Sequence, residues 1–169
     1  MTKLILVRHG QTIDNVNQIM QGQTQGELTE EGIRQARELA ETLKNETIDA
    51  FISSDLKRSV DTCELIASRR GCQVFQTALL RERDWGSFTG RYIPDLKDEP
   101  WTDDIETIEQ MKQRAKDFLD YVRRNFPDKT VLAVGHGIIN KAIQAVYYNK
   151  TMPEIPRMEN GERRVLMLF

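Results

Sequence analysis

The chain contains only two histidines, and each follows a short apolar run: His9 in Val7-Arg8-His9-Gly10 and His136 in Val134-Gly135-His136-Gly137. A lone histidine is usually a satisfied core or surface residue. These two share one topological position, and each is flanked by glycine that lets a ligand approach the backbone. Arg58, in Ser53-Ser54-Asp55-Leu56-Lys57-Arg58, falls in the first turn of the helix after another apolar run. By itself it would be a solvated helix residue. With Arg8 it supplies two guanidinium forks, whose geometry suits phosphate oxygens. Two arginines, two histidines and the positive ends of nearby helices describe an anion site, best matched to a phosphoryl group. A metal fits poorly: two histidines without carboxylates at ligand spacing make no cage, and the arginines repel a cation.

For these residues to meet, the elements that carry them must end at one edge of one sheet. Lys3–Val7 is short, continuous and rich in branched side chains, the pattern of a strand buried on both faces. Leu28-Thr29-Glu30-Glu31-Gly32 opens a helix capped by Thr29, with Ile33, Ala36, Leu39, Ala40 and Leu43 recurring at helical spacing through Lys44. Ile48–Ser53 predicts a second strand, followed by a helix from about Asp55 that Gly71 terminates. Gln73–Phe75 predicts a third strand. The stretch from Thr77 to about Asp103 is irregular, and a loop that long in a compact domain is commonly functional. A helix from about Asp104 to Asn125, a strand at Val131–Val134, a helix at Ile138–Tyr148 and a strand at Arg164–Phe169 complete the alternation. Strands alternating with helices predict an α/β fold with a sheet covered on both faces. Ligands bind such sheets at the carboxyl ends of the strands, where both histidines stand.

The length of 169 residues argues for one domain spanning 1–169. Such a chain buries roughly 70% of its unfolded surface without disulfides or metals. Lys and Arg number 24 against 26 Asp and Glu, a net charge of −2, with no basic stripe for nucleic acid. Apolar runs are of strand length, far short of the ~20 residues a membrane helix needs. Met1 is followed at once by a strand-like run, leaving no room for a signal peptide, so the expected location is the cytoplasm. Cys63 and Cys72 read as free thiols in that reducing compartment.

Arg8-His9-Gly10, Asn15, Leu28-Thr29 with Gly32, Ser53-Ser54 with Arg58, Glu82 with Gly86, and Gly135-His136-Gly137 form an ordered set covering Lys3 to about Tyr148. The set resembles the histidine phosphatase superfamily, the phosphoglycerate mutase-like proteins. The resemblance implies a three-layer α/β/α sandwich with a mostly parallel, doubly wound central sheet, and no metal or other cofactor. It implies that His9 is the nucleophile and becomes a phosphohistidine. Arg8, Arg58, His136 and Gly137 would surround the phosphoryl group, Asn15 would donate a further hydrogen bond, and Gln21 and Gly22 would line the pocket. Glu82 would protonate the leaving oxygen; from spacing alone, a loop carboxylate paired with Arg81 or Arg83 is an equal alternative. The chemistry is coherent, because nearby positive charge keeps an attacking imidazole neutral and stabilises the transferring oxygens.

Two departures narrow this reading. The acidic residue often found shortly before Leu-Thr is replaced where Gln25-Gly26-Glu27 stands, and Glu27 is a shifted candidate for it. Cofactor-dependent mutases resemble one another in a Gly-Leu-Asn-Lys segment and a long insertion with paired arginines; this chain has Gly90-Arg91-Tyr92-Ile93 and no insertion. The expectation is therefore a metal-independent phosphomonoesterase acting through phosphohistidine on a small phosphorylated metabolite. Its rivals are a phosphoglycerate mutase, a phosphohistidine protein phosphatase, whose compact members typically lack the Glu82 equivalent, and a catalytically silent phosphate-binding or interaction module. The loop at about 83–103 is expected to form a lid. Trp85, Phe88, Tyr92 and Trp101 either cover substrate or pack the loop, and Arg83, Arg91 and Lys97 are candidates for a second acidic group. The C-terminal strand either pairs with another copy in a homodimer or is covered internally.

Overall fold

β1 (Thr2–Arg8) runs through the interior of a five-stranded sheet, in a computed structural model that describes residues Met1–Phe169. It lies between β4 (Thr130–Gly135), which is parallel to it, and β5 (Arg163–Leu168), which is antiparallel. β2 (Ala50–Ser53) and β3 (Val74–Gln76) extend the sheet beyond β4, giving the order β3-β2-β4-β1-β5 with four parallel strands.

The two-residue period of a strand divides the core. Leu4 and Leu6 of β1 join Val131 and Ala133 of β4 on one face, and Ile5 and Val7 join Leu132 and Val134 on the other. The first face is covered by α4 (Ile108–Asn125) through Met111, Ala115, Phe118 and Leu119, and by α5 (Gly137–Tyr148) through Ile139, Ala142 and Ile143. The second carries α2 (Glu30–Thr42) and α3 (Lys57–Ala67), with Leu39, Cys63, Ile66 and Ala67 buried against it. This is the expected three-layer α/β/α arrangement. Each fully buried aliphatic side chain contributes about 1.5–3 kcal/mol. Residues Ile13–Val16 form a single short turn, α1.

Element boundaries move by one to four residues from the sequence reading. The long helix begins at Ile108, not near Asp104, because Thr107 and Gln110 form a reciprocal capping box. The helix after β2 begins at Lys57, which keeps Arg58 in its first turn. β3 is shifted by one residue, and β5 takes its internal cover from Leu166 and Leu168 while its outer edge stays unpaired.

Gly10 leaves no room for a side chain. A Cβ there would stand 2.5 Å from the Gly32 carbonyl oxygen, and one on Gly32 would stand 2.1 Å from the Gln11 carbonyl oxygen. The first turn of α2, capped by Thr29, thus seats directly on the backbone after His9. That docking by itself requires glycine at position 10, which does not line the cleft.

Candidate active site

The register brings the chemistry together. Val7 pairs with Val134, Arg8 with Gly135, and Ser53 with Val134, so three parallel strands end level. The segments that leave them carry Arg8 and His9, Ser54 to Arg58, and His136 to Gly137. The His9 and His136 rings meet edge to face with centroids 5.0 Å apart. Around them lies a cleft of about 320 Å³, lined by Arg8, His9, Asn15, Gln21, Gly22, Arg58, Glu82 and Gly137 among others. Every site residue expected from the sequence lines it except His136, which is fully buried beside His9.

Hydrogen bonds orient each group. His9 Nδ1 donates to its neighbour's Gly10 carbonyl at 2.7 Å, leaving Nε2 with its lone pair. His136 Nε2 lies 2.7 Å from Ser54 Oγ, which itself accepts from the Leu56 N–H. The Ser54 hydroxyl proton has no acceptor but Nε2, which assigns the donor role to Ser54 and places the His136 proton on Nδ1. Arg8 Nη1 donates to the Met158 carbonyl at 2.7 Å. Arg58 Nη2 donates to the Gly22 carbonyl at 2.8 Å, and its Nη1 to the Thr24 carbonyl. Gly22 sits at φ +52°, a left-handed conformation that glycine adopts without cost and that turns its carbonyl to Arg58. Gly22 thus both lines the cleft and holds Arg58. Asn15 Oδ1 accepts from the Thr12 N–H at 3.0 Å, which leaves its amide N–H groups as donors at the cleft wall.

Three donors end without a protein partner although they are buried: Arg8 Nε, Arg58 Nε and His136 Nδ1. Leaving a buried donor unpaired costs about 1–3 kcal/mol, so three in one place mark a site built for an oxygen-rich anion. Burial, then Arg58 and Arg8, hold His9 well below the ordinary histidine value and outweigh the opposing bond to Gly10. Burial, then Arg58, His9 and Arg8, do the same to His136. Both imidazoles are neutral. Burial also pushes Arg58 down to about 10, which leaves it fully charged near neutrality.

Glu82 is not the partner of a loop arginine. Its Oε2 accepts from the Ile138 N–H at 3.0 Å, and its Oε1 from Ile139 at 3.1 Å and Arg83 at 2.9 Å. The carboxylate therefore caps α5 from outside the helix, facing the cleft. Arg81 pairs bidentately with Asp55 instead, at 2.6 and 2.7 Å. Arg83 stacks between Trp85 and Trp101, its Cζ 4.7 and 4.9 Å from their ring centroids, and donates to the Glu106 carbonyl. Arg91 is held by Glu99, and Lys97 is exposed outside the cleft. None of these three candidates for a second acidic group lines the cleft. Trp85, Phe88, Leu96 and Ile105 form their own small core, so the aromatics mainly pack the loop, though Trp85 also lines the cleft. Tyr92 and Trp101 are largely exposed, and Glu27 is exposed away from the cleft.

Sequence reasoning missed Lys141 and Arg157, which line the same cleft. Lys141 was findable: it stands one turn along α5 from Gly137, on the same face. Arg157 comes from an irregular segment that carries no periodic pattern.

Buried arginine forks and paired neutral histidines at the carboxyl edge of a parallel sheet define a phosphate-handling α/β protein. Comparison with known proteins gives the family. The histidine phosphatase superfamily (branch 1) pattern matches residues 4–167, and the chain belongs to that superfamily. A metal-independent phosphoserine phosphatase from Arabidopsis thaliana is 35% identical over 159 residues, 84% of this chain and 67% of its own length. A probable phosphoglycerate mutase, GpmB, from Proteus mirabilis is 43% identical over 103 residues, 60% of this chain and 48% of its own. Among solved structures, a mycobacterial glucosyl-3-phosphoglycerate phosphatase complexed with VO3 superimposes with a TM-score of 0.90 at 28% identity, covering 98% of this chain and 92% of that one. A phosphoserine phosphatase from Entamoeba histolytica in complex with phosphoserine gives 0.87 at 27%, covering 99% and 91%.

Proposed function

We infer that the protein is a phosphoric monoester hydrolase for small phosphorylated metabolites, working through a phosphohistidine on His9 and needing no metal. The observation that carries the reading is the neutral His9 beside three unpartnered buried donors. Its Nε2 lone pair attacks phosphorus as the ester P–O bond breaks. Arg8, Arg58 and His136 stabilise the charge on the oxygens that do not leave. Glu82 gives its proton to the leaving alkoxide, then takes one from the water that attacks the phosphohistidine and releases phosphate. The family's phosphatases support hydrolysis as the outcome.

The mutase is the second reading, favoured by the Proteus relative. Given a monophosphoglycerate and catalytic bisphosphoglycerate, hydrolysis predicts phosphate release without interconversion of isomers. Isomerisation outpacing release would reverse the choice. The cytoplasm is the proposed location, on the cysteine usage. The unpaired outer edge of β5 is the surface proposed for pairing with a second copy.

A further inference from the structure

We propose that Lys141 and Arg157 form a second anion subsite, and that the natural substrate is a phosphomonoester carrying a carboxylate. The proposal rests on the phosphatase reading above. Four cations line the cleft, Arg8, Arg58, Lys141 and Arg157, against one carboxylate, Glu82. Glu82 accepts its hydrogen bonds from three backbone N–H groups and forms no ion pair, and its charge acts on Arg8 and Arg58 rather than on Lys141 or Arg157. Neither Lys141 nor Arg157 takes part in any of the molecule's ion pairs.

Their positions set them apart from the phosphoryl pocket yet next to it. Lys141 is one helical turn from Gly137, whose notional Cβ would stand 3.5 Å from the Arg8 guanidinium carbon. Arg157 immediately precedes Met158, the residue whose carbonyl holds Arg8. Its charge lies close enough to oppose that of Arg8, second only to burial. Glu82, then Glu159 and Glu162, act on Arg8 in the opposite sense and more weakly, and Glu162 is already paired with Arg164 at 2.8 Å. Two like charges on adjoining groups are relieved by an anion between or beside them. A guanidinium fork suits a carboxylate, with an ammonium as the second, less directional contact. Ile19, Met20, Ile93 and Ile138 line the same cleft and offer apolar surface to a short carbon chain.

Paired probes that differ only in the carboxylate test this: 3-phosphonooxypropanoate against propyl phosphate for turnover, and their methylene isosteres 4-phosphonobutanoate and butylphosphonate for calorimetric binding. The carboxylated member of each pair should be favoured by about tenfold or more, in kcat/KM and in Kd. In the Lys141→Met/Arg157→Met double variant both ratios should fall to within about threefold of unity, with the turnover loss carried by KM. The proposal is overturned if the parent treats both members of each pair alike, if neither phosphonate binds, or if the preference survives the double substitution. If neither ester turns over while the phosphonate preference follows Lys141 and Arg157, the subsite stands and the phosphatase reading falls.

Discussion

His9 attacks through Nε2 because Nδ1 is spent on the Gly10 carbonyl, and it is neutral because it is buried beside two guanidinium groups. His9→Ala should abolish turnover and the trapping of acid-labile phosphate, measured with radiolabelled ester and rapid quench. Residual activity within tenfold of the parent would remove His9 from the chemistry. Glu82 is a sharper case. Both of its oxygens accept backbone N–H groups, so Glu82→Gln turns an amide N–H toward at least one of them. That should lower stability by about 1–2 kcal/mol, read as a shift in urea midpoint. Proton donation predicts something further: alkyl phosphates should slow by about 10²–10⁴ and nitrophenyl phosphate far less, per folded molecule. Equal losses on both ester classes would leave Glu82 as a helix cap alone. The histidines and arginines were legible because strand-end position and residue type point the same way. The cap on α5 was not, since nothing near Glu82 in sequence announces a helix 56 residues later.

Two contacts between elements decide whether the site stays assembled. The first turn of α2 rests on the Gly10–Gln11 backbone, with Gly32 at the point of closest approach. Helix propensity alone favours Gly32→Ala by about 1 kcal/mol, whereas the close approach predicts a loss of about 3 kcal/mol or more. Thermal or urea denaturation gives the sign, and a stabilised variant would disprove the contact. On the other side of the sheet, Arg114 of α4 donates to Glu106 at 2.9 Å through two nitrogens, and to the Leu79 and Arg81 carbonyls at 3.0 and 2.6 Å. It ties down the segment that leads into Glu82. Arg114→Met should cost about 3 kcal/mol and reduce kcat more than it changes KM. Unchanged kcat in the folded variant would separate this anchor from the chemistry. The helices themselves were readable from their apolar stripes. What escaped was side-chain traffic across the loop at 83–103: Arg83 and Arg91 look free in sequence, but one is stacked between tryptophans and the other held by Glu99.

At the scale of the whole molecule, the same burial that readies the histidines ties stability to pH. His9 and His136 both lie well below their ordinary value when folded and return to it on unfolding. Below about pH 6.5 the unfolded chain therefore binds protons that the folded one refuses. Stability is complete above that pH and declines beneath it, by up to about 1.4 kcal/mol per pH unit for each histidine. Urea midpoints between about pH 8 and 5.5 should trace this fall, and His9→Gln should reduce it to the share that His136 contributes; a level profile in the parent would contradict the burial of both rings. The sheet order has a different consequence. β1 is flanked by β4 and β5, with Lys3 opposite Thr130 on one side and Met167 on the other. On the ribosome, β1 is made long before either neighbour and waits with both edges bare, the condition in which nascent strands stick to one another. Pairings of such high sequence separation also close slowly. Catalytic competence is therefore a late event in the life of each molecule, arriving with the closure of the sheet rather than growing as the polypeptide lengthens.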